Sequence, residues 1–169
     1  KDGEMERYLN LISDQRRERI KGFRFLEDAK RSMLAELLAR KIVINRYGLK
    51  NEEIEFSTEN YGKLYIENLP NFQFNLSHSG QWVVCATGEQ AVGVDIQEIR
   101  EINVEVAKYC FTQEENDELL RLGHAQRREY FYRCWTRKES YLKAIGVGLT
   151  EEGLKAELPP AVSFKIYDM

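Results

Sequence analysis

Residues 72–97, FQFNLSHSGQWVVCATGEQAVGVDIQ, decide how the rest of the chain is read. Phe72, Phe74 and Leu76 alternate with polar residues, Trp82 to Ala86 is a mostly apolar run, and Ala91 to Ile96 is another. Period-two alternation and short apolar runs between glycine-containing breaks predict strands. Ser77-His78-Ser79-Gly80 and Thr87-Gly88 read as the turns between them. Such short breaks allow antiparallel pairing and leave no room for a crossover helix, so the stretch reads as a three-stranded meander. On its third strand Gly93, Asp95 and Gln97 face the same side.

Helices are predicted on either side. Residues 4–21 read as one charged helix carrying Arg16, Arg17, Arg19 and Lys21. Residues 27–47 repeat Met33, Leu34, Leu37, Leu38 and Ile42 at helical spacing, and Gly48 marks the stop. Ile54–Phe56 and Leu64–Ile66 read as short strands, the second preceded by a Tyr61-Gly62-Lys63 turn. Beyond residue 100 a short helix at 103–109 is expected. Thr112-Gln113-Glu114-Glu115 then matches a capping box opening a helix to about Leu122. Residues 125–145 form a longer helix ended by Gly146, with Trp135, Glu139 and Lys143 on one face. Pro159-Pro160 and Val162–Tyr167 suggest a loop and a last strand. The class is α+β.

A chain of 169 residues with 43% hydrophobic and 31% charged residues suits one globular unit or two small packed halves. The net charge of −3 argues against nucleic acid as a main partner. No apolar run approaches the ~20 residues that cross a bilayer, and the start, KDGEMERYLN, has no signal-peptide core. Cys85, Cys110 and Cys134 are widely spaced without a C-x-x-C, so three buried thiols in a reducing cytoplasm are expected.

Two carboxylates stand out as candidates. Asp95 ends an apolar strand, and Glu139 sits mid-helix in C-W-T-R-K-E-S-Y-L-K. A carboxylate at the end of a buried strand needs a partner, hydrogen bonds or a metal. Read from the residues alone, the pair is either a hard-cation site or a solvated strand end plus an i, i+4 pair of Glu139 with Lys143. Ser77-His78-Ser79 invites a hydrolase reading, but adjacent side chains on extended backbone diverge, and no G-x-S-x-G elbow exists. Glu115 is explained by helix capping alone, and the cluster from Arg16 to Lys21 by a solvated face.

The combination is more specific than its parts. F-N-L-S-H-S-G at 74–80, V-G-V-D at 92–95 and W-T-R-K-E-S-Y-L-K at 135–143 stand in that order. Together they resemble the phosphopantetheinyl transferase superfamily, in its larger monomeric type that activates surfactin synthetase. The likeness runs from about Ser13 to Leu149, through Y-G-K at 61–63 and L-P at 69–70. It implies two pseudo-symmetric α+β halves, 1–90 and 91–169, each a small antiparallel sheet packed with helices, with the active site in the cleft between them. The implied protein is a cytoplasmic monomer that moves the phosphopantetheine arm of coenzyme A to a serine of an apo acyl- or peptidyl-carrier protein. Adenosine 3′,5′-bisphosphate leaves. No nucleic acid or membrane is implied.

By the same resemblance Asp95, Glu139 and the residue at 97 would hold Mg2+, with Mn2+ an alternative. Glu139 would also act as base, Lys143 would steady the diphosphate, and Glu115 matches an acidic position linked to catalysis. Lys63, Ser77, His78, Arg16 and Arg19 match positions contacting coenzyme A, as do Asp95 and Lys143. Two features depart from the pattern. Gln97 stands where the family usually has an acid. After Gly148-Leu149 the family continues through a helix, a variable loop and closing strands, so the second half is expected to be incomplete. A non-catalytic coenzyme A or nucleotide-binding module, and a plain interaction scaffold, are the competing readings.

Overall fold

The computed structural model describes residues 2–167. Helix α1 spans Asp2–Leu9, α2 Asp14–Lys21 and α3 Leu26–Tyr47. Strands β1, Phe56–Thr58, and β2, Leu64–Ile66, form one antiparallel hairpin, and β3, Gln73–Ser79, and β4, Trp82–Gly88, form another. Then follow α4, Ala107–Cys110, α5, Gln113–Arg121, α6, His124–Ile145, and α7, Glu151–Lys155. The α+β class holds. The outer limits expected for the two halves, Lys1 and Met169, lie outside the described residues.

The expected helix over 4–21 is two helices. Ser13 breaks it by taking extended backbone and capping α2, its hydroxyl accepting from Arg16 N at 3.2 Å. The same serine donates through N and Oγ to Glu36 of α3, at 2.6 and 3.0 Å. The buried face of α3 consequently differs from the leucine stripe. It runs through Ala29, Ser32, Met33, Glu36, Ala39, Arg40 and Val43, whereas Leu34 is exposed. Glu36 can be buried because Arg16 Nε (3.2 Å) and Arg40 Nε (2.9 Å) also donate to it. Gly48 ends α3 in the left-handed conformation.

In the second hairpin the strand runs on through Ser79, which pairs with Trp82, so the turn is Gly80-Gln81 and not residues 77–80. Gly80 supplies the positive φ that a two-residue hairpin turn needs. The expected third strand at 91–96 and last strand at 162–167 form no ladder, and among the described residues no strand follows β4. The amides of residues 94, 96 and 98 instead donate to side chains of β3. The capping box at Thr112 is present, with Thr112 N donating to Glu115 Oε2 at 2.9 Å.

Among the described residues three apolar clusters form. One lies under α1–α3 around Ile12, Ile20 and Met33, and a second joins α3 to both hairpins through Val43, Ile66, Phe72 and Phe74. The third gathers α4–α7 around Phe111, Leu119, Phe131 and Leu142. None mixes residues from the two sides of position 90. The three thiols are free, Cys110 and Cys134 buried and Cys85 half-buried. Burial pushes Cys85 up to about 11. No described helix is long and apolar enough to cross a membrane.

Candidate active site

The sequence carries Asp95 to α6 by a close approach at Gly93. A Cβ at this position would overlap the Ser140 carbonyl oxygen and lie 2.7 Å from Ala144 N, so a residue with any side chain would force the segment off the helix. With glycine there, Asp95 Oδ1 receives Lys143 Nζ at 2.5 Å and Ser77 Oγ at 2.9 Å. Lys143 Nζ also lies 3.2 Å from Glu139 Oε2, and donates to Ser77 Oγ at 3.2 Å. Gln97 Nε2 donates to Asp95 Oδ2 at 3.1 Å. Thus the face shared by Gly93, Asp95 and Gln97 meets the helix face of Glu139 and Lys143, although no ladder fixes the segment.

The two carboxylates are nearly closed off from water: the Asp95 side chain is 1% exposed and that of Glu139 8%. Burial, then the charge of Asp95, pushes the Glu139 carboxyl up to about 7, with Lys143 opposing. A carboxyl titrating near neutrality can accept a proton from a hydroxyl. Two carboxylates and an amide form a hard-oxygen set of the kind Mg2+ takes when waters and phosphates complete its shell. Among the described residues no group of three or more His, Cys, Asp and Glu side chains converges as a self-sufficient metal site.

Gln97 also borders an open cleft of about 360 Å³ at the tip of the second hairpin. His78 and Ser79 line it from the hairpin, Asp28 and Arg31 from α3, and Arg100 and Tyr132 from the other side. Arg31 is held by Asp28 and by the Gly80 carbonyl at 2.8 Å. Partial burial and then the charge of Arg31 hold the His78 imidazole below its ordinary value. Arg31, Arg100 and Tyr132 were not singled out from sequence. The i, i+3 pairing of Asp28 with Arg31 was visible there, but the distant Gly80 contact was not.

The other expected residues stand apart from the cluster. Arg16 is committed to Glu36 and to Ser32 Oγ at 3.0 Å, while Arg19 is exposed on α2. Lys63 Nζ donates to the Ala144 carbonyl at 2.5 Å, covering the last turn of α6. Glu115 Oε2 lies 3.0 Å from Lys138 Nζ, whose side chain is buried and also donates to Ala156 O at 2.9 Å.

Comparison with known proteins gives the family. The family model described as 4′-phosphopantetheinyl transferase, N-terminal, matches residues 1–90, and that of the 4′-phosphopantetheinyl transferase superfamily matches 91–164. The chain is 41% identical over 147 residues to the 4′-phosphopantetheinyl transferase Sfp of Bacillus subtilis, covering 87% of this chain and 66% of that protein. It is 41% identical over 124 residues to the 4′-phosphopantetheinyl transferase gsp of Aneurinibacillus migulanus, covering 73% and 52% respectively. With the mouse L-aminoadipate-semialdehyde dehydrogenase-phosphopantetheinyl transferase it shares 34% over 170 residues, 88% of this chain and 53% of that one. The chain therefore spans between about half and two thirds of these relatives' lengths, and it belongs to the 4′-phosphopantetheinyl transferase superfamily.

Proposed function

We propose that this chain transfers the 4′-phosphopantetheine arm of coenzyme A to a serine hydroxyl of an apo acyl- or peptidyl-carrier protein. The observation that carries the reading is Lys143 held between two shielded carboxylates, Asp95 and Glu139, with Gln97 joining Asp95 to the polar cleft it lines. In this reaction the serine oxygen bonds to the β-phosphorus of coenzyme A, the phosphoanhydride breaks, and adenosine 3′,5′-bisphosphate leaves. The protein's task is to align the reactants and neutralise phosphate charge.

Glu139 is the base. Its raised carboxyl takes the serine proton as the new bond forms. Asp95, which accepts from Ser77, Lys143 and Gln97, is held still while Glu139 works. Asp95 and Glu139 would hold Mg2+ or Mn2+, with Gln97 a neutral oxygen beside them. When bound, the ion supplies a Lewis acid against the diphosphate charge. Lys143 lies within reach of both carboxylates and is the amine that steadies the diphosphate. Arg19, His78 and Arg31 meet the phosphates of coenzyme A. Arg16 and Lys63 act from behind, through Glu36 and through the end of α6. Glu115 supports α6 through Lys138.

The halves 1–90 and 91–169 would form the two walls of this site in a cytoplasmic monomer. Incubation with coenzyme A, Mg2+ and a panel of apo carrier proteins tests the proposal by the intact mass of each carrier. One carrier should gain a phosphopantetheine. If coenzyme A raises the Tm but no carrier gains mass, the chain is a binding module and the proposal fails.

A further inference from the structure

Asp95 sits on a segment that no backbone ladder holds, yet its position is fixed to within hydrogen-bond distance of three side chains. The hold comes from β3. Val94 N donates to Asn75 Oδ1 at 2.9 Å, Ile96 N to Ser77 Oγ at 3.3 Å, and Glu98 N to Ser79 Oγ at 2.9 Å. Donors and acceptors advance two residues at a time, with a constant separation of 19. Alternate side chains of a strand leave one face, so residues 94–98 lie across the face of the hairpin and not along its edge. The other face carries Phe74 and Leu76 into the apolar cluster.

This face-on ladder fixes register. A shift of one residue would turn Asp95 away and drive Val94 or Ile96 into the charged cluster. Its middle rung is the Ser77 hydroxyl, which also donates to Asp95 and accepts from Lys143, using the full capacity of a hydroxyl. The rung next to Asp95 on the chain belongs to Asn75. Among the described residues the Asn75 side chain hydrogen-bonds to Val94 alone, and Asn75 does not line the cleft. On the opposite side Gly93 presses the segment against α6.

We propose that Asn75 is a positioning residue: through the Val94 amide it sets the register in which Asp95 meets Lys143 and Glu139. Ser77 and Ser79 complete the ladder. The kinetic consequence rests on the transferase reading; the register itself does not.

Three variants test this: Asn75→Ala, which removes the acceptor; Asn75→Asp, which keeps an oxygen in its place; and Ser79→Ala, which removes the outer rung. Amide hydrogen exchange is followed by NMR alongside kcat and the KM for coenzyme A. Asn75→Ala should speed exchange at Val94 by about tenfold while Val43 in α3 is unchanged. It should lower kcat at least about tenfold with KM for coenzyme A altered less than about threefold, because misplacement costs rate and not binding. Asn75→Asp should restore both Val94 protection and most of kcat. Ser79→Ala should deprotect Glu98 and leave Val94 protected, and it decides the ladder if Asn75→Ala does not fold. Unchanged Val94 exchange in Asn75→Ala, a raised KM with kcat intact, or failure of Asn75→Asp to rescue would each overturn the assignment. A wild-type chain that modifies no carrier would sink the transferase reading, and the exchange data would still decide the register.

Discussion

Glu139→Gln should lower turnover at least about a hundredfold and, at neutral pH, make the fold more stable. Burial and the charge of Asp95 oppose ionisation of Glu139, and Lys143 offsets them only in part, so the folded chain keeps this proton to higher pH than the unfolded chain. Between pH 4.5 and about 7 the native state therefore binds more protons, and stability falls as pH rises through that window. A rise from 4.5 to about 7 corresponds to ~3 kcal/mol at about 1.4 kcal/mol per pH unit. Lys143, whose side chain is 26% exposed, brings solvent to the pair and lowers the expected figure to ~2 kcal/mol. Glutamine keeps the shape and carries no charge at any pH. The stability difference between variant and wild type should thus be near zero at about pH 4.5, grow to ~2 kcal/mol by about pH 7.5, and stay level above that.

Urea denaturation of both proteins from about pH 4.5 to 8, at fixed ionic strength with divalent ions chelated, measures this directly. A difference that does not change with pH would refute the strained-carboxylate account. The same variant assayed for carrier modification should lose about 10²–10⁴-fold, the usual worth of a positioned base. Retention of more than about a tenth of the wild-type rate would remove Glu139 from the chemistry.

Gly93→Ala should lower stability by about 1–3 kcal/mol and kcat with it, since the added methyl overlaps the α6 backbone; thermal melts and initial rates check this. Arg19→Ala should raise the KM for coenzyme A with kcat at saturation little changed. Arg16→Ala should instead destabilise the fold, because it strips one partner from the buried Glu36, and a denaturation curve separates the two. Asp95→Ala should lose at least about a hundredfold in rate, and Gln97→Ala less than about tenfold. Titrating rate against Mg2+ for both variants would expose Gln97 as an essential ligand if the losses were equal.

What the sequence could reveal was local. The cap at Thr112, the stops at Gly48 and Gly146, and the common face of Gly93, Asp95 and Gln97 follow from short-range rules and are present. What it concealed depends on distant partners. Residues 91–96 have strand composition, but a ladder needs an edge, and the segment lies on a face where side chains take its amides. Glu36 and Arg40 look like ordinary polar positions of a helix until Ser13 and Arg16 come to bury them. Lys63 looks like a loop cation, yet its partner is the Ala144 carbonyl, 81 residues away.

These distant contacts share a chemical character that explains where the cleft lies. The apolar clusters stop on either side of position 90. Hydrogen bonds cross it: Lys63 to Ala144, Ser77 to Asp95 and Lys143, and the β3 side chains to residues 94–98. Residues beyond position 90 supply every charge of the cluster, and β3 supplies the Ser77 hydroxyl that meets Asp95 and Lys143 and the Asn75 oxygen that holds the Val94 amide. A seam joined by hydrogen bonds admits water and anions at a cost an apolar core would not allow, because each group can exchange a protein partner for a solvent or ligand partner. The same seam needs rigid spacing, since buried carboxylates left unpaired are costly. Gly93 provides that spacing on the helix side and the side-chain ladder on the hairpin side, so the charged cluster is fixed while the cleft next to it stays open.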